Sequence, residues 1–198
     1  MDPLERLIKA LGRLPGIGRR SAERIALKLV RDGGGMIREL AAALGEVERQ
    51  VCCCSKCGNV TARQQDPCRI CTDPRRDTHV LCVVEDPGDI VLIEKAGSFQ
   101  GRYHALMGRL SPMKGEGPEN IRVAQLLERI KAEGIAEVVL AMNSDVEGDS
   151  TASYLHDLLK ASGVKITRIA FGLPAGSGIA YSDPVTLARA LSGRVEMD

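Results

Sequence analysis

The sequence lacks the features of several protein classes. It contains no tryptophan, and only 3% of its 198 residues are aromatic, so aliphatic side chains must build most of the core. No apolar run approaches the roughly 18 residues that a membrane-spanning helix needs, and residues 138–142 have only the length of a strand. Residues 1–6 include acids where a signal peptide has a basic leader. We therefore expect a soluble chain that works in the cytoplasm.

Common catalytic motifs are also missing. Neither the phosphate-binding GxxxxGKS/T loop nor the GxSxG nucleophile motif occurs, which leaves nucleotide hydrolysis of the P-loop kind and serine-hydrolase chemistry unsupported. The three histidines have no metal-ligand or triad spacing among themselves, so we predict solvated or structural roles for His79, His104 and His156.

The formal net charge of +1 conceals two oppositely charged halves. Residues 1–76 hold 15 Lys and Arg against 9 Asp and Glu, a net charge of +6, whereas residues 77–198 hold 12 against 17, a net charge of −5. Such asymmetry predicts one surface suited to polyanions and another suited to cations or basic partners.

The apolar pattern predicts a helical first part and an α/β second part. Residues 4–11 and the segment after residue 18 repeat apolar side chains at helical spacing, and a third helix is predicted at about 36–49. From residue 81 onward short apolar runs alternate with helical stretches, which is typical of a parallel sheet covered by helices. The predicted strands are 81–84, 138–142 and 164–169. The predicted helices of this part are 87–96, 119–133, 151–161 and 183–192, and residues 101–118 are a glycine-rich connection. The fold class is therefore α/β with several modules.

A glycine turn lies between the first two predicted helices. Residues 14–18 read Leu-Pro-Gly-Ile-Gly, and Gly16 and Gly18 allow backbone N–H groups to approach a phosphate closely. Basic residues then follow on one side of the next helix: Arg20, Arg24, Lys28 and Arg31. This pattern predicts a helix-hairpin-helix that contacts the DNA backbone without reading its sequence. The alternative is a helix–helix turn whose charges are merely solvated.

Four of the seven cysteines have the spacing of a metal site. Two CxxC pairs with ten residues between them fit a tetrahedral zinc site that has no open coordination position. The predicted ligands of one structural zinc ion are Cys54, Cys57, Cys68 and Cys71. Cys52 and Cys53 leave the register of the first pair open on paper, although the CxxC spacing favours Cys54. Cys82 lies in an apolar strand and is predicted to be a buried hydrophobic residue.

Four acidic residues follow the ends of two predicted strands. They are Glu85, after the first strand of the α/β part, and Asp145, Glu147 and Asp149, after the second. Because the carboxyl ends of parallel strands form the ligand crevice of such a sheet, we expect these acids to converge. They could hold Mg²⁺ for phosphoryl chemistry or form an acidic docking surface for a basic partner. Asp149 also precedes a predicted helix, where it could serve as a cap.

The order of these parts resembles the RecR family of bacterial recombination mediators over essentially the whole chain. A helix-hairpin-helix, a four-cysteine zinc element and an α/β block that opens with Cys-Val-Val-Glu occur in that order. The further matching motifs lie at residues 73–77, 101–104, 110–112, 146–149 and 186–194.

The resemblance implies a division of the chain into four regions. They are a helix-hairpin-helix DNA-binding region at 1–53, a C4-type zinc finger at 54–71, a Toprim domain at 79–174, and a C-terminal Walker B-like segment with a helix at 175–198.

The resemblance also implies a function without catalysis. Members of the family act with the RecO and RecF proteins to load RecA recombinase at single-strand gaps coated by single-strand-binding protein, and they assemble into ring tetramers that clamp DNA. The DNA-contacting positions of the family match Arg20 and Arg24, and its zinc ligands match the four cysteines of the CxxC pairs. Its Toprim acids match Glu85 and Glu147 and are tied to partner docking, with Mg²⁺ possible there but not catalytic. The implied location is the bacterial cytoplasm, at the nucleoid, without membrane contact.

The C-terminal segment departs from the family pattern. Residues 176–181 read Gly-Ser-Gly-Ile-Ala-Tyr, so Ala180 stands where the family commonly has a carboxylate, whereas Asp183 is kept. Because a Walker A motif is also absent, we predict no nucleotide role for this segment.

Two other functions are compatible with the residues. The first is a Mg²⁺-dependent Toprim nuclease that uses Glu85, Asp145 and Glu147, since Asp145 and Glu147 resemble the paired acids of such enzymes. The second is a structural protein that bridges subunits, which would form oligomers without salt-sensitive DNA affinity.

Overall fold

The computed structural model describes residues 2–173, 176 and 178–194. The predicted boundary residues 1, 174, 175 and 198 therefore lie outside the described residues. The chain divides into two compact units, Met1–Cys52 with Ala62–Gln64 and Cys53–Thr61 with Gln65–Asp198. Helices dominate the first unit, and a parallel sheet with a small cysteine element dominates the second.

The helical unit contains the three predicted helices. They are α1 (Pro3–Leu11), α2 (Arg19–Arg31) and α3 (Gly35–Gln50). The first two pack against each other, and Ala22, Ala26 and Leu29 of α2 are buried. Their spacing of three and four residues places them on one face of the helix, as the periodicity predicts.

The cysteine element follows α3. Two short strands, β1 (Val51–Cys53) and β2 (Val60–Ala62), form a two-stranded sheet, and the short helix α4 (Arg69–Thr72) comes after it. We use the term cysteine element for residues 54–72.

A four-stranded parallel sheet forms the centre of the α/β domain. Its strands are β3 (Val80–Val84), β4 (Arg102–Ala105), β5 (Glu137–Ala141) and β6 (Lys165–Arg168). Their order is β4-β3-β5-β6, with Leu81 opposite Arg102 on one side and opposite Val138 on the other. The chain runs from β3 to β4 and then crosses back to β5, so the order reverses between β3 and β5. Ligands of open α/β sheets bind at the carboxyl ends of strands at such a reversal.

Helices cover both faces of this sheet and create two cores. They are α5 (Pro87–Ala96), α6 (Val123–Glu133) and α7 (Val146–Lys160). Leu81 and Val83 lie in the core that contains α6 and α7 residues, whereas Cys82 and Val84 lie in the core that contains Ile90 of α5. Successive side chains of a strand point to opposite faces, so the all-apolar sequence of β3 fits a strand that is buried on both sides. The predicted α/β fold class is confirmed.

Strand β4 contradicts the predicted glycine-rich connection at 101–118. Its sequence, Arg-Tyr-His-Ala, has no apolar run, yet Tyr103, His104 and Ala105 are buried. The burial comes from residues distant in sequence: the His104 Nε2 bonds to the Arg122 carbonyl at 2.9 Å, and Tyr103 packs in the α5-side core. A local pattern does not carry that information.

Helix α7 starts at Val146, five residues before its predicted start. Asp145 is its N-cap, and its Oδ1 accepts a hydrogen bond from the Gly148 N–H at 2.8 Å. A Cβ on Gly148 would lie 2.2 Å from the Asn143 carbonyl oxygen, so only glycine fits this first turn. The glycine and polar residues that obscured the helix in the sequence are therefore the ones that its first turn requires.

The described part of the chain ends with helix α8 (Pro184–Ser192), close to the predicted 183–192. Within the described residues, no helix is long and apolar enough to cross a membrane.

Candidate functional site

The turn between α1 and α2 has the predicted glycine geometry. Gly16 has a φ of +75°, a left-handed conformation that other residues adopt at a cost. Gly18 is the N-cap of α2, and because glycine has no side chain it leaves the first-turn N–H groups to an external acceptor. The positive end of the helix dipole lies at the same place. The turn can therefore bind an anion such as a backbone phosphate.

Basic side chains extend this site along α2. Arg20, Arg24 and Lys28 are exposed and lie four residues apart, which aligns them on one face. A groove of about 610 Å³ beside them is lined by Arg24, Leu27, Lys28, Arg31 and Asp32. Arg19 differs from this group because its guanidinium pairs with Glu23 at 3.1 Å. We call Arg20, Arg24, Lys28 and Arg31 the basic stripe.

The four cysteines of the CxxC pairs come together as a buried cluster. Their Sγ atoms lie within 4.8 Å of one another, with 4.0 Å between Cys54 and Cys71 and 3.5 Å between Cys57 and Cys68. A tetrahedral site with zinc–sulfur bonds of about 2.3 Å has sulfur–sulfur edges of about 3.8 Å, so the cluster has the size of such a site. Within the described residues it is the one group of three or more possible ligands placed to share a metal ion.

Two sulfur atoms of the cluster accept hydrogen bonds from backbone N–H groups. The Asn59 N–H donates to the Cys57 Sγ at 3.4 Å, and the Cys68 N–H donates to the Cys54 Sγ at 3.3 Å. Hydrogen bonds among the thiols lower the pKa of Cys68, whereas the hydrogen bonds with Cys68 raise the pKa values of Cys57 and Cys71. The sequence left open which of Cys52, Cys53 and Cys54 belongs to the first pair. In the structure Cys54 is in the cluster, whereas Cys53 is exposed on β1.

The remaining cysteine of the α/β domain is inert. Cys82 is buried in β3, as predicted, and burial raises the pKa of its thiol to about 12. A thiol with such a pKa is a poor nucleophile and a poor metal ligand at neutral pH.

Three connections fasten the cysteine element to the α/β domain. The Ala105 N–H of β4 donates to the Cys57 carbonyl at 2.8 Å, and Arg122 Nη2 donates to the Ser55 carbonyl at 3.3 Å. Lys56 Nζ lies 3.1 Å from a carboxylate oxygen of Glu133 at the end of α6. The four-cysteine cluster thus lies on an element that supports the edge strand of the sheet.

Three of the four predicted acids converge at the reversal point of the sheet. Glu85 follows β3 and is buried, and both of its carboxylate oxygens accept hydrogen bonds from Asn143, which follows β5. Asp145 and Glu147 lie at the start of α7, which follows the carboxyl end of β5. The expected convergence therefore holds for these three, which we call the acidic cluster.

A guanidinium that the sequence analysis missed lies among these carboxylates. Arg109 Nη1 is 2.7 Å from Asp145 Oδ2 and 3.8 Å from Glu85 Oε2, and its Nη2 is 2.7 Å from Glu147 Oε2. The Gly148 N–H and then Arg109 lower the pKa of Asp145. The Ser111 hydroxyl and then Arg109 lower the pKa of Glu147. No local pattern marks Arg109, which lies 36 residues before Asp145 in the connection between β4 and α6.

Asp149 does not join the acidic cluster. Its two oxygens pair with Arg168 at 2.6 Å and with Arg189 at 2.7 Å. Both guanidinium groups also stack on Phe171, at 4.4 and 4.8 Å from the ring centre. The expected convergence is thus wrong for Asp149, because its position in the first turn of α7 directs it to arginines of β6 and α8.

Asp183, the acid of the family pattern that this chain retains in its C-terminal segment, has a local structural role. Asp183 is the N-cap of α8, where its Oδ1 accepts hydrogen bonds from the N–H groups of Val185 and Thr186 at 3.0 Å. Ala180 lies in a short 3-10 turn, Ile179–Tyr181. These contacts explain Asp183 as a helix cap.

His79 and His156 are exposed and His104 is buried, which are the solvated and structural environments predicted, and the burial of His104 predicts a stability that depends on pH. His104 is fully buried, and burial lowers its pKa from 6.5 to about 4. Between these pH values the unfolded chain binds a proton that the folded chain does not bind, so stability falls as the pH drops. From pH 7.5 to pH 5 this residue should cost about 2 kcal/mol of folding free energy.

Urea unfolding of the metal-loaded chain at both pH values measures this cost. The His104→Gln variant keeps a donor for the Arg122 carbonyl but does not titrate. Its free energy of unfolding should therefore fall by about 2 kcal/mol less than that of the parent chain between pH 7.5 and pH 5. An equal loss in both proteins would assign the pH dependence to other groups, such as the cysteine cluster.

Comparisons with known proteins agree with this arrangement. A family model described as RecR, helix-hairpin-helix, matches residues 4–47, a Toprim domain model matches residues 79–170, and a RecR C-terminal model matches residues 172–195. A protein of Moorella thermoacetica named "Recombination protein RecR" is 51% identical over all of this chain and 98% of its own length. Proteins of the same name from an Anaeromyxobacter species and from Acidothermus cellulolyticus are 49% and 48% identical, over 99% and 98% of this chain and 98% and 97% of their own lengths.

Proposed function

The chain belongs to the RecR family of recombination proteins, and from this premise we propose that it is a DNA-binding mediator that acts without catalysis. In this role it helps RecO- and RecF-type partners to load RecA recombinase at single-strand gaps. Its place of action is the cytoplasm, at the nucleoid. The proposed regions are 1–53 for DNA binding, 54–71 for zinc, 79–174 for the Toprim domain and 175–198 for the C-terminal segment.

The basic stripe beside the Gly16–Gly18 turn is the observation that carries this proposal. Gapped DNA offers a regular row of phosphates, and exposed guanidinium and ammonium groups along a helix bind such a row by releasing counterions. The contacts that we assign are the backbone at Gly16 and Gly18 and the side chains of Arg20, Arg24 and Lys28.

The cysteine cluster supports a structural ion. Four thiolates complete a tetrahedral shell, so the ion has no free position for a water molecule or a substrate. We therefore assign one zinc ion per chain to Cys54, Cys57, Cys68 and Cys71, where it maintains the fold of residues 54–72.

The absence of catalysis is supported by the state of the acidic cluster. A metal-dependent nuclease needs carboxylate oxygens that are free to bind Mg²⁺. Arg109 pairs with Asp145 and Glu147 instead, which argues against the nuclease alternative. We propose that Glu85, Asp145 and Glu147 serve partner docking: basic groups of a partner meet the accessible sides of Asp145 and Glu147, and the buried Glu85 holds Asn143 beside them. Asp149 contributes by holding α8 in place.

An apolar stripe on α3 supports self-association into a ring tetramer. Leu40, Leu44 and Val47 have exposed fractions of 43%, 63% and 56% and follow one another at helical spacing. Contiguous exposed apolar side chains of this kind mark surfaces that bind another protein, and we assign this one to a second copy of the chain.

A loading assay on gapped DNA tests the proposed function. RecA filament formation on gaps coated with single-strand-binding protein should be slow with the RecO- and RecF-type partners alone and should accelerate at least about tenfold when this chain is added. In parallel reactions with Mg²⁺, nicked, gapped and RNA substrates should stay intact. The absence of acceleration would contradict the mediator role, and cleavage that disappears in Glu147→Ala would establish the nuclease.

A further inference from the structure

The acidic cluster already contains a cation that belongs to the chain. The Arg109 guanidinium spans Asp145 and Glu147 with two contacts of 2.7 Å, and it lies 3.8 Å from the buried Glu85. Lys114 adds a second positive charge 3.6 Å from Glu147. The three carboxylates and these two cations leave one net negative charge, whereas the carboxylates alone would carry three.

The carboxylate oxygens of this cluster do not fit the Mg²⁺ ion that Toprim acids suggest. Magnesium requires six oxygen ligands at about 2.0–2.1 Å in octahedral positions. Each of the six carboxylate oxygens instead accepts a hydrogen bond or ion pair from the chain. The partners are Asn143 N–H and Nδ2 for Glu85, the Gly148 N–H and Arg109 for Asp145, and the Ser111 hydroxyl and Arg109 for Glu147.

The connection that carries Arg109 is ordered around α7. The Leu110 N–H donates to Thr151 Oγ1 at 3.0 Å, and Thr151 is fully buried. The Ser111 and Glu116 backbones exchange hydrogen bonds of 2.9 and 3.0 Å, which close the tip of the connection. Arg109 therefore enters the cluster from a fixed backbone position, and a metal ion would have to displace a guanidinium that is held in place.

We propose that Arg109 is the resident cation of the acidic cluster and closes it to divalent metal ions. The cluster retains the carboxylates of a metal site but uses them to hold an internal positive charge. Removal of that charge opens the site, because the three carboxylates then lack their main counter-ion and a divalent ion is the strongest replacement.

Binding of Mn²⁺ to the full-length, zinc-loaded chain tests this proposal, with free Mn²⁺ followed by electron paramagnetic resonance. The parent chain should leave Mn²⁺ free up to about 1 mM, whereas Arg109→Gln should bind one ion per chain at least about tenfold more tightly. The double variant Arg109→Gln/Glu147→Gln should lose this gain. Binding by the parent chain as tight as that of Arg109→Gln, or no gain in Arg109→Gln, would overturn the proposal.

Two control variants separate the charge of Arg109 from other effects. Arg168→Gln removes a guanidinium from Asp149 on the same domain and should create no Mn²⁺ site, since Asp149 keeps Arg189. Arg109→Lys keeps a positive charge and should stay closed. A Mn²⁺ site in either control equal to that of Arg109→Gln would show that Arg109's charge is not what closes the cluster.

A measurement on the parent chain keeps the proposal testable if Arg109→Gln does not fold. Bound Mn²⁺ broadens the amide NMR signals of nearby residues, so a site at the cluster would erase those of 143–148 first. We expect these signals to broaden no more than exposed surface amides at about 1 mM Mn²⁺. Selective loss of the 143–148 signals would refute the proposal without any variant.

Discussion

Replacement of Cys57 by serine is expected to lower the free energy of unfolding of the chain by about 5 kcal/mol or more. Structural zinc sites contribute about 10–16 kcal/mol of apparent binding free energy, which is folding free energy when the site does not exist in the unfolded chain. A domain is stable by only about 5–15 kcal/mol in total. Loss of one of four ligands therefore removes a large part of what keeps the chain folded.

The damage should extend beyond the cysteine element. The Cys57 carbonyl accepts the Ala105 N–H of the edge strand β4, and Lys56 pairs with Glu133 of α6. If the metal is lost, these connections lose their fixed partner, and the edge of the parallel sheet becomes less protected. Hydrogen exchange should therefore accelerate at the amides of residues 102–105 as well as at those of 54–72. The amides of the inner strand β3 should change least.

Chemical denaturation and metal analysis by atomic emission measure this effect together. Cys53→Ser is the matched control, because Cys53 is exposed on β1 and is not in the cluster. The control should retain one zinc ion per chain and parental stability, whereas Cys57→Ser should lose both. A Cys57→Ser variant that unfolds at the parental urea concentration would show that the cluster does not stabilise the fold.

The parts of this molecule that the sequence predicts best are those with a local cause. Each CxxC pair places its two cysteines by short-range turn geometry, so the four cysteines of the cluster follow from their spacing. The helices α1 and α2 also follow from a local repeat, since Ala22, Ala26 and Leu29 lie on one face of any helix that contains them. In both cases the residues that interact lie within a few positions of each other or recur as a motif.

The parts that the sequence does not predict depend on contacts across long separations. Strand β4 is buried by α5 and by Arg122, and Arg109 reaches Asp145 from 36 residues away. Asp149 and Glu147 are two residues apart and thus point in different directions from the first turn of α7. A prediction from strand ends could place the acids near one edge of the sheet, but the partner of each acid is set by the folded chain.

The basic stripe gives the second large expected effect. The double variant Arg20→Ala/Arg24→Ala should bind gapped DNA about 60-fold more weakly at about 0.1 M salt, because each lost phosphate contact removes the release of about 0.9 counterion. The slope of log K against log salt should become shallower by about 2 for the same reason. These values apply to each hairpin that contacts the DNA, so a ring that uses several hairpins should show a larger loss.

Fluorescence anisotropy with a gapped duplex, across a series of salt concentrations and with the RecO-type partner present, measures both quantities. Arg38→Ala/Arg49→Ala is the matched control, since it removes the same charge from exposed positions on α3 of the same unit. If both variants lose affinity equally, the net charge of the helical unit attracts DNA without a defined contact. If only the α2 variant loses affinity and slope, the phosphates lie along the basic stripe, and the charge of +6 in residues 1–76 acts through a few specific side chains.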